Sequence, residues 1–141
     1  MNTRLALITM LLRPKTGFSY GKFDCSIFSD KFVLVKRREG LFDKKVEFEI
    51  PFRAIEKIED KNYMTVKGIR IYLNDPNIEY PASPSLILDG IVGGLISFAK
   101  RNKFILYFNK NKEKNIFLNI SKKAGVPYIG DEFVYMKEYN Q

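Results

Sequence analysis

The chain has 141 residues, and 24 lysines and arginines against 16 acids give it a formal net charge of +8. It contains no histidine and one cysteine, so it lacks the commonest metal ligand and cannot form an internal disulfide. The length and the 45% hydrophobic content fit a single domain, 1–141. The charge favours anionic partners, although lysine-rich surfaces also occur without any such partner.

The N-terminal region, 1–20, predicts an extra strand followed by a turn. An apolar run at 5–12 follows Arg4 and is too short to cross a bilayer as a helix, so we expect a buried first strand. Cys25 is the single cysteine, lies in an apolar stretch and cannot form an internal disulfide, which indicates a reducing compartment. We therefore expect a cytoplasmic protein, with a peripheral position at the inner membrane surface as the alternative.

Strand patterns fill the middle of the chain, with turn signals between them. Phe32–Val35 is apolar on both faces, which predicts a strand covered on both sides. Apolar residues alternate with charged or polar ones over 46–50 and 65–73, which is typical of strands with one solvated face. Ile55 and Ile58 fit either a bent strand or a short helical turn.

The acidic residues of this region predict a salt-bridged, solvated surface rather than an acid–base pair. These acids are Glu47, Glu49, Glu56, Glu59 and Asp60, and lysines lie near them in sequence. No serine or threonine has a plausible base, and no phosphate-binding loop or metal-ligand spacing is present. We expect no enzymatic activity, no cofactor and no small-molecule substrate.

An apolar insert, 81–101, breaks the strand pattern. Ser83 as N-cap and Pro84 at the first helical position predict an apolar helix near 84–100. This helix either packs over the open end of the sheet or forms a protein interface or dimer contact. The candidate interface residues are Leu86, Ile91, Leu95 and Phe98.

A second hairpin is predicted from alternating apolar residues at 104–108 and 116–120, on either side of a polar tip at 109–115. The tip would carry a second basic site, formed by Lys110, Lys112 and Lys114. Tyr107 and Phe117 fall on the opposite strand face, so we expect both to be partly exposed. Beyond the hairpin, 121–124 predicts one helical turn ended by Gly125, and Asp131 opens a last short element.

Three motifs lie between residues 23 and 73: Ser29–Leu34, then Arg38–Phe42 with Lys44–Lys45, then Glu49–Ile58, in which Ile50-Pro51 precedes spaced isoleucines. Together they resemble the motifs of prokaryotic pleckstrin-homology-like (PH-like) and GRAM-like domains. The resemblance implies a mainly β fold: a bent antiparallel barrel or sandwich of about seven strands, plugged by a C-terminal helix. It also implies a binding module. The chain departs from this pattern in its insert and in the interruption of the C-terminal helix by Gly125 and Pro127, which makes the insert helix a candidate plug.

The first basic hairpin combines five cations with two apolar residues: Lys36, Arg37, Arg38, Leu41, Phe42, Lys44 and Lys45. Cations that approach anionic headgroups and apolar tips that insert suit an interfacial membrane contact. The alternative is that Leu41 and Phe42 cap the core.

The sequence thus predicts a non-catalytic interaction module with a PH-like fold. It would bind a protein partner, itself included, or an anionic surface such as a membrane, through its basic hairpins and apolar insert. The alternative is a basic protein associated with nucleic acid or the ribosome.

Overall fold

The fold is given by a computed structural model, which describes residues 3–14, 21–36, 46–81 and 102–130. Within these residues lie one α-helix, α1 (Asn111–Lys123), and a short 3-10 turn (Phe52–Ala54). Eight strands accompany them: β1 (Ala6–Leu11), β2 (Lys22–Ile27), β3 (Lys31–Lys36), β4 (Val46–Pro51), β5 (Ile55–Asp60), β6 (Gly68–Leu73), β7 (Lys103–Phe108) and β8 (Tyr128–Ile129).

All eight strands belong to one sheet, in the order β4-β3-β2-β1-β7-β6-β5-β8. Neighbouring strands are antiparallel except for the two-residue β8, which runs parallel to β5 and places Tyr128 opposite Ile58. In the described part of the chain the sheet is open, with β4 and β8 at its two edges. The predicted mainly β fold with a bent sheet is confirmed.

The strands predicted in the first half of the chain are present, but the prediction that Phe32–Val35 is covered on both sides is wrong. In β1 the residues Ile8 and Met10 are buried on one face, whereas on the other face Leu7 is exposed and only Leu11, at the end of the strand, is buried. In β3 the outward residues Val33 and Val35 are half-buried rather than fully covered. Of the two structures predicted for Ile55 and Ile58, the bent strand is the one observed, because both residues lie in β5, which has a register shift beside Ile55.

The second predicted hairpin is wrong in its second half, because 116–120 lies within α1 instead of forming a strand. Three of the four apolar residues there, at 116, 118 and 120, mimic strand alternation, but Phe117 between them is the residue that is fully buried. The preceding lysines and glutamate are good helix formers. The helix then ends where Gly125, at φ +89, adopts the left-handed conformation.

Two backbone hydrogen bonds complete this helix end. The Gly125 N–H donates to the Lys122 carbonyl, and the Val126 N–H donates to the Ser121 carbonyl. Together they form a Schellman motif, in which the residue after the glycine is commonly apolar and packed against the helix. Val126 is buried accordingly. The single helical turn predicted at 121–124 is therefore the last turn of a 13-residue helix.

Phe117 anchors α1 in the core of the sheet. Its ring lies 5.0 Å from that of Phe32 on β3, 5.9 Å from that of Phe108 on β7 and 6.4 Å from that of Phe52 in the 3-10 turn. Edge-on and tilted aromatic contacts at these distances are favourable. Within the described residues, α1 is thus the helix that covers the core, while the insert helix predicted near 84–100 and the element from Asp131 lie outside them.

Candidate functional site

The first basic hairpin and the apolar insert are for the most part not among the residues that the structure describes. Lys36 ends β3 and is exposed. The other residues of the first basic hairpin lie outside the described residues: Arg37, Arg38, Leu41, Phe42, Lys44 and Lys45. The candidate interface residues of the insert lie outside them as well: Leu86, Ile91, Leu95 and Phe98. Their predicted roles remain predictions.

The second basic site does not lie at a hairpin tip. Lys110 immediately precedes α1, and Lys112 and Lys114 belong to its first turns. Lys110 and Lys112 are exposed, but Lys114 points inward and is buried. A helix separates neighbouring residues by about 100°, so lysines that would share a strand face point in different directions here.

Tyr107 and Phe117 were predicted to be partly exposed, and both expectations are wrong. Phe117 is buried because it is the inward residue of a helix. Tyr107 is 8% exposed. Burial raises the pKa of its phenol, the positive charge of Arg70 partly opposes this rise, and the electrostatic interaction with Tyr63 adds to it.

The outer face of α1 carries a row of exposed residues, two of which are lysines. Lys112, Ile116, Asn119 and Lys123 are exposed and follow one another at helical spacing. At about 100° per residue they lie within an arc of about 60°, and the first and last lie about 16 Å apart along the axis. Lys122 lies beside this row, and the exposed Lys110 immediately precedes the first turn of α1. We call these six residues the lysine face.

The acid of α1 is turned away from the lysine face. Glu113 Oε1 accepts a hydrogen bond of 2.8 Å from the Lys110 N–H, and its Oε2 accepts one of 3.0 Å from the Thr9 N–H of β1. The carboxylate thereby occupies the N-terminal end of the helix, where the helix dipole is positive. An anionic partner would therefore meet the lysine side chains rather than the helix end.

Lys114 forms a buried ion pair that sequence patterns did not predict. Its Nζ lies 2.7 Å from Asp60 Oδ1, and the two side chains are only 7% and 3% exposed. Lys114 Nζ also donates to Asn62 Oδ1 at 3.0 Å, and the Tyr128 hydroxyl donates to Asp60 Oδ1. This cluster joins β5, α1 and β8.

Asp60 therefore contradicts the expectation of a solvated acidic surface, whereas its neighbours fit it. Glu56 is exposed, and the Glu59 carboxylate lies 3.8 Å from Lys57 Nζ. Glu47 and Glu49 are exposed on β4, and Glu49 pairs with Lys31 at 2.5 Å. The hydrogen bond from Lys31 to this glutamate raises the pKa of the lysine. Within the described residues, no group of three potential His, Cys, Asp or Glu ligands could hold a metal ion.

A tight hairpin turn joins β5 to β6 beside the first turn of α1. The Tyr63 N–H donates to the Val66 carbonyl and the Val66 N–H donates to the Tyr63 carbonyl, each at 2.9 Å. Met64 and Thr65 form the two-residue loop between them. Met64 is 82% exposed and Tyr63 47% exposed.

No protein-family model matches this chain, and no curated protein matches it. Among the described residues, no helix is long and apolar enough to span a membrane.

Proposed function

We propose that this chain is a non-catalytic interaction module that binds an anionic surface through the lysine face of α1. The observation that carries the proposal is the separation of charges on this helix. Lys112, Lys122 and Lys123 lie on its exposed side and Lys110 is exposed just before it, while its glutamate is turned inward against β1.

The two ends of the lysine face favour cations for different reasons. Lys122 and Lys123 lie in the last turn, where the negative end of the helix dipole stabilises positive charge. Lys110 and Lys112 lie at the opposite end, where the dipole disfavours them but the Glu113 carboxylate offsets it. Cations are thus maintained along the whole length of the helix, as an extended anionic surface requires.

The strength of such a contact is limited. At about 1 kcal/mol per lysine near an anionic membrane surface, four lysines contribute about 4 kcal/mol. That corresponds to a dissociation constant of about 1 mM. A useful affinity therefore needs a further contact, for which the first basic hairpin and the apolar insert remain the candidates proposed from sequence.

Labelled heparin, a generic polyanion, provides a direct test at low salt. The double variant Lys112→Glu/Lys123→Glu removes two cations from the lysine face, so its affinity should fall at least about thirtyfold. Its melting temperature should change little, because both side chains are exposed.

The matched control is Arg13→Glu/Lys103→Glu, which lowers the formal net charge by the same amount. These residues are exposed and lie toward the opposite end of β1 and β7 from the start of α1, since Leu11 pairs with Tyr107 and Met10 with Phe108. Equal losses of affinity in both double variants would indicate a nonspecific effect of net charge and contradict the proposal. Affinity that resists high salt would favour an apolar protein interface instead.

A further inference from the structure

The backbone of the β5–β6 turn is unfavourable for the residue at its tip. Met64 occupies the first central position of the two-residue loop and has φ +53. Hairpin turns with a positive φ at that position favour glycine, asparagine or aspartate, because a larger side chain strains the left-handed conformation. Within the described residues, Met64 is the one non-glycine residue with positive φ.

The Met64 side chain brings little packing to the fold in return. It is 82% exposed, and the neighbouring Tyr63 is 47% exposed. A strained backbone that holds an apolar side chain in solvent is the pattern expected where a functional contact is made. A single exposed methionine would otherwise need no explanation, but its combination with positive φ does.

Cations surround this tip. Lys61 and Lys67 lie at the two sides of the turn, where the Lys61 N–H donates to the Gly68 carbonyl at 3.0 Å. The Phe108 N–H donates to the Lys67 carbonyl at 2.9 Å, so the end of β7, from which the chain runs into Lys110, lies beside the turn. Asn62 accepts from Lys114, which fixes the turn against the first turns of α1.

We propose that the β5–β6 turn is a membrane-docking tip, in which Met64 inserts at the headgroup boundary of an anionic bilayer. Lys61 and Lys110 would contact the surrounding headgroups. The inference rests on the proposed function, because it supplies the second contact that the lysine face requires. A protruding apolar side chain flanked by cations fits a fluid interface with apolar depth and negative surface charge.

Vesicle co-sedimentation tests the tip, using phosphatidylcholine vesicles with and without phosphatidylserine. The wild-type chain should bind only the vesicles that contain phosphatidylserine. Met64→Gly should lower the partition coefficient about tenfold, which is the loss expected from removing one inserted apolar side chain. Its melting temperature should stay the same or rise, since glycine relieves the positive φ. Met64→Leu, the matched control, should retain binding.

The outcomes separate the tip from the lysine face. Unchanged partition of Met64→Gly would overturn the membrane-docking tip, and so would binding of heparin or single-stranded RNA without any binding to vesicles. The proposed function would survive both results, provided that Lys112→Glu/Lys123→Glu weakens binding to whichever anionic probe is bound. Indifference of that double variant to every probe, or an equal loss of affinity in Arg13→Glu/Lys103→Glu, would overturn the proposed function.

Discussion

The two sides of α1 place the same residue type in opposite roles. On the inner side Lys114 is buried and ion-paired with Asp60, next to the Phe117 anchor. On the outer side, Lys112 and Lys123 face solvent along one row. The comparison teaches that the lysines of one helix become buried or stay exposed according to whether the sheet supplies a carboxylate opposite them.

The largest expected effect is on the inner side, at the anchor. Phe117→Ala removes a buried ring that contacts three other phenylalanines. We expect the free energy of unfolding to fall by about 4 kcal/mol, from lost burial and the cavity left behind. Denaturant titration measures this loss, and Ile116→Ala on the exposed side is the control, with a change several times smaller. A small loss at Phe117 would mean that α1 is not anchored as described.

Breaking the buried ion pair should have the next largest effect. Lys114→Met leaves Asp60 buried without its cation, which should destabilise the fold by about 3 kcal/mol. The same substitution at the exposed Lys112 should change stability by less than about 0.5 kcal/mol. The double variant Asp60→Leu/Lys114→Met should recover most of the loss, since an apolar pair avoids the unpaired charge. Equal effects at Lys112 and Lys114 would remove the distinction between the two sides.

Glu113 connects the inner side of α1 to β1. Its substitution should lower the free energy of unfolding by less than breaking the buried ion pair does. Glu113→Ala removes acceptors for the Lys110 and Thr9 N–H groups, so we expect a loss of about 2 kcal/mol in thermal or denaturant unfolding. Glu113→Gln keeps one acceptor oxygen and should lose about half as much. If Glu113→Gln lost as much as Glu113→Ala, the negative charge rather than the acceptor count would be the important property.

The smallest expected effect on stability comes from Cys25, which is buried close to Glu113, and it arises only at alkaline pH. Burial raises the pKa of its thiol above the ordinary value of 9.0, and the charge of Glu113 raises it further. A raised folded-state pKa leaves stability intact below pH 9 and lowers it as the pH rises beyond that value. Between about pH 8 and about pH 10, the wild-type chain should lose about 1.4 kcal/mol more than Cys25→Ala. Identical losses would mean that the thiol ionises freely in the fold.

Sequence patterns predicted the sheet well because one face of each strand is buried. The alternation in β4 and β6 identified inward residues such as Ile50 and Ile71, both of which are fully buried. The helix was missed because its inward side is not uniformly apolar: Glu113, Lys114 and Ser121 are buried there beside Phe117. Two signals for the helix were available: the helix-forming lysines in its first turns and the glycine, Gly125, just after its end.

The candidate site was harder to predict than the fold. The lysines were identified, but their division between the two sides depends on partners that are distant in sequence, such as Asp60 for Lys114 and Thr9 for Glu113. Hydrophobic patterning does not report which charges meet across a fold. The exposure of Met64 likewise depends on the loop length and on φ at that turn.

The salt dependence of heparin binding tests most directly whether the outer side of α1, and not its inner side, contacts an anionic partner. Each cation in contact with a polyanion contributes about one unit to the slope of log affinity against log salt concentration. Lys112→Met should therefore lower this slope by about one, whereas Asp60→Leu/Lys114→Met should leave it unchanged. An unchanged slope for Lys112→Met, or an equal reduction in both variants, would contradict a binding face on the outer side of this helix.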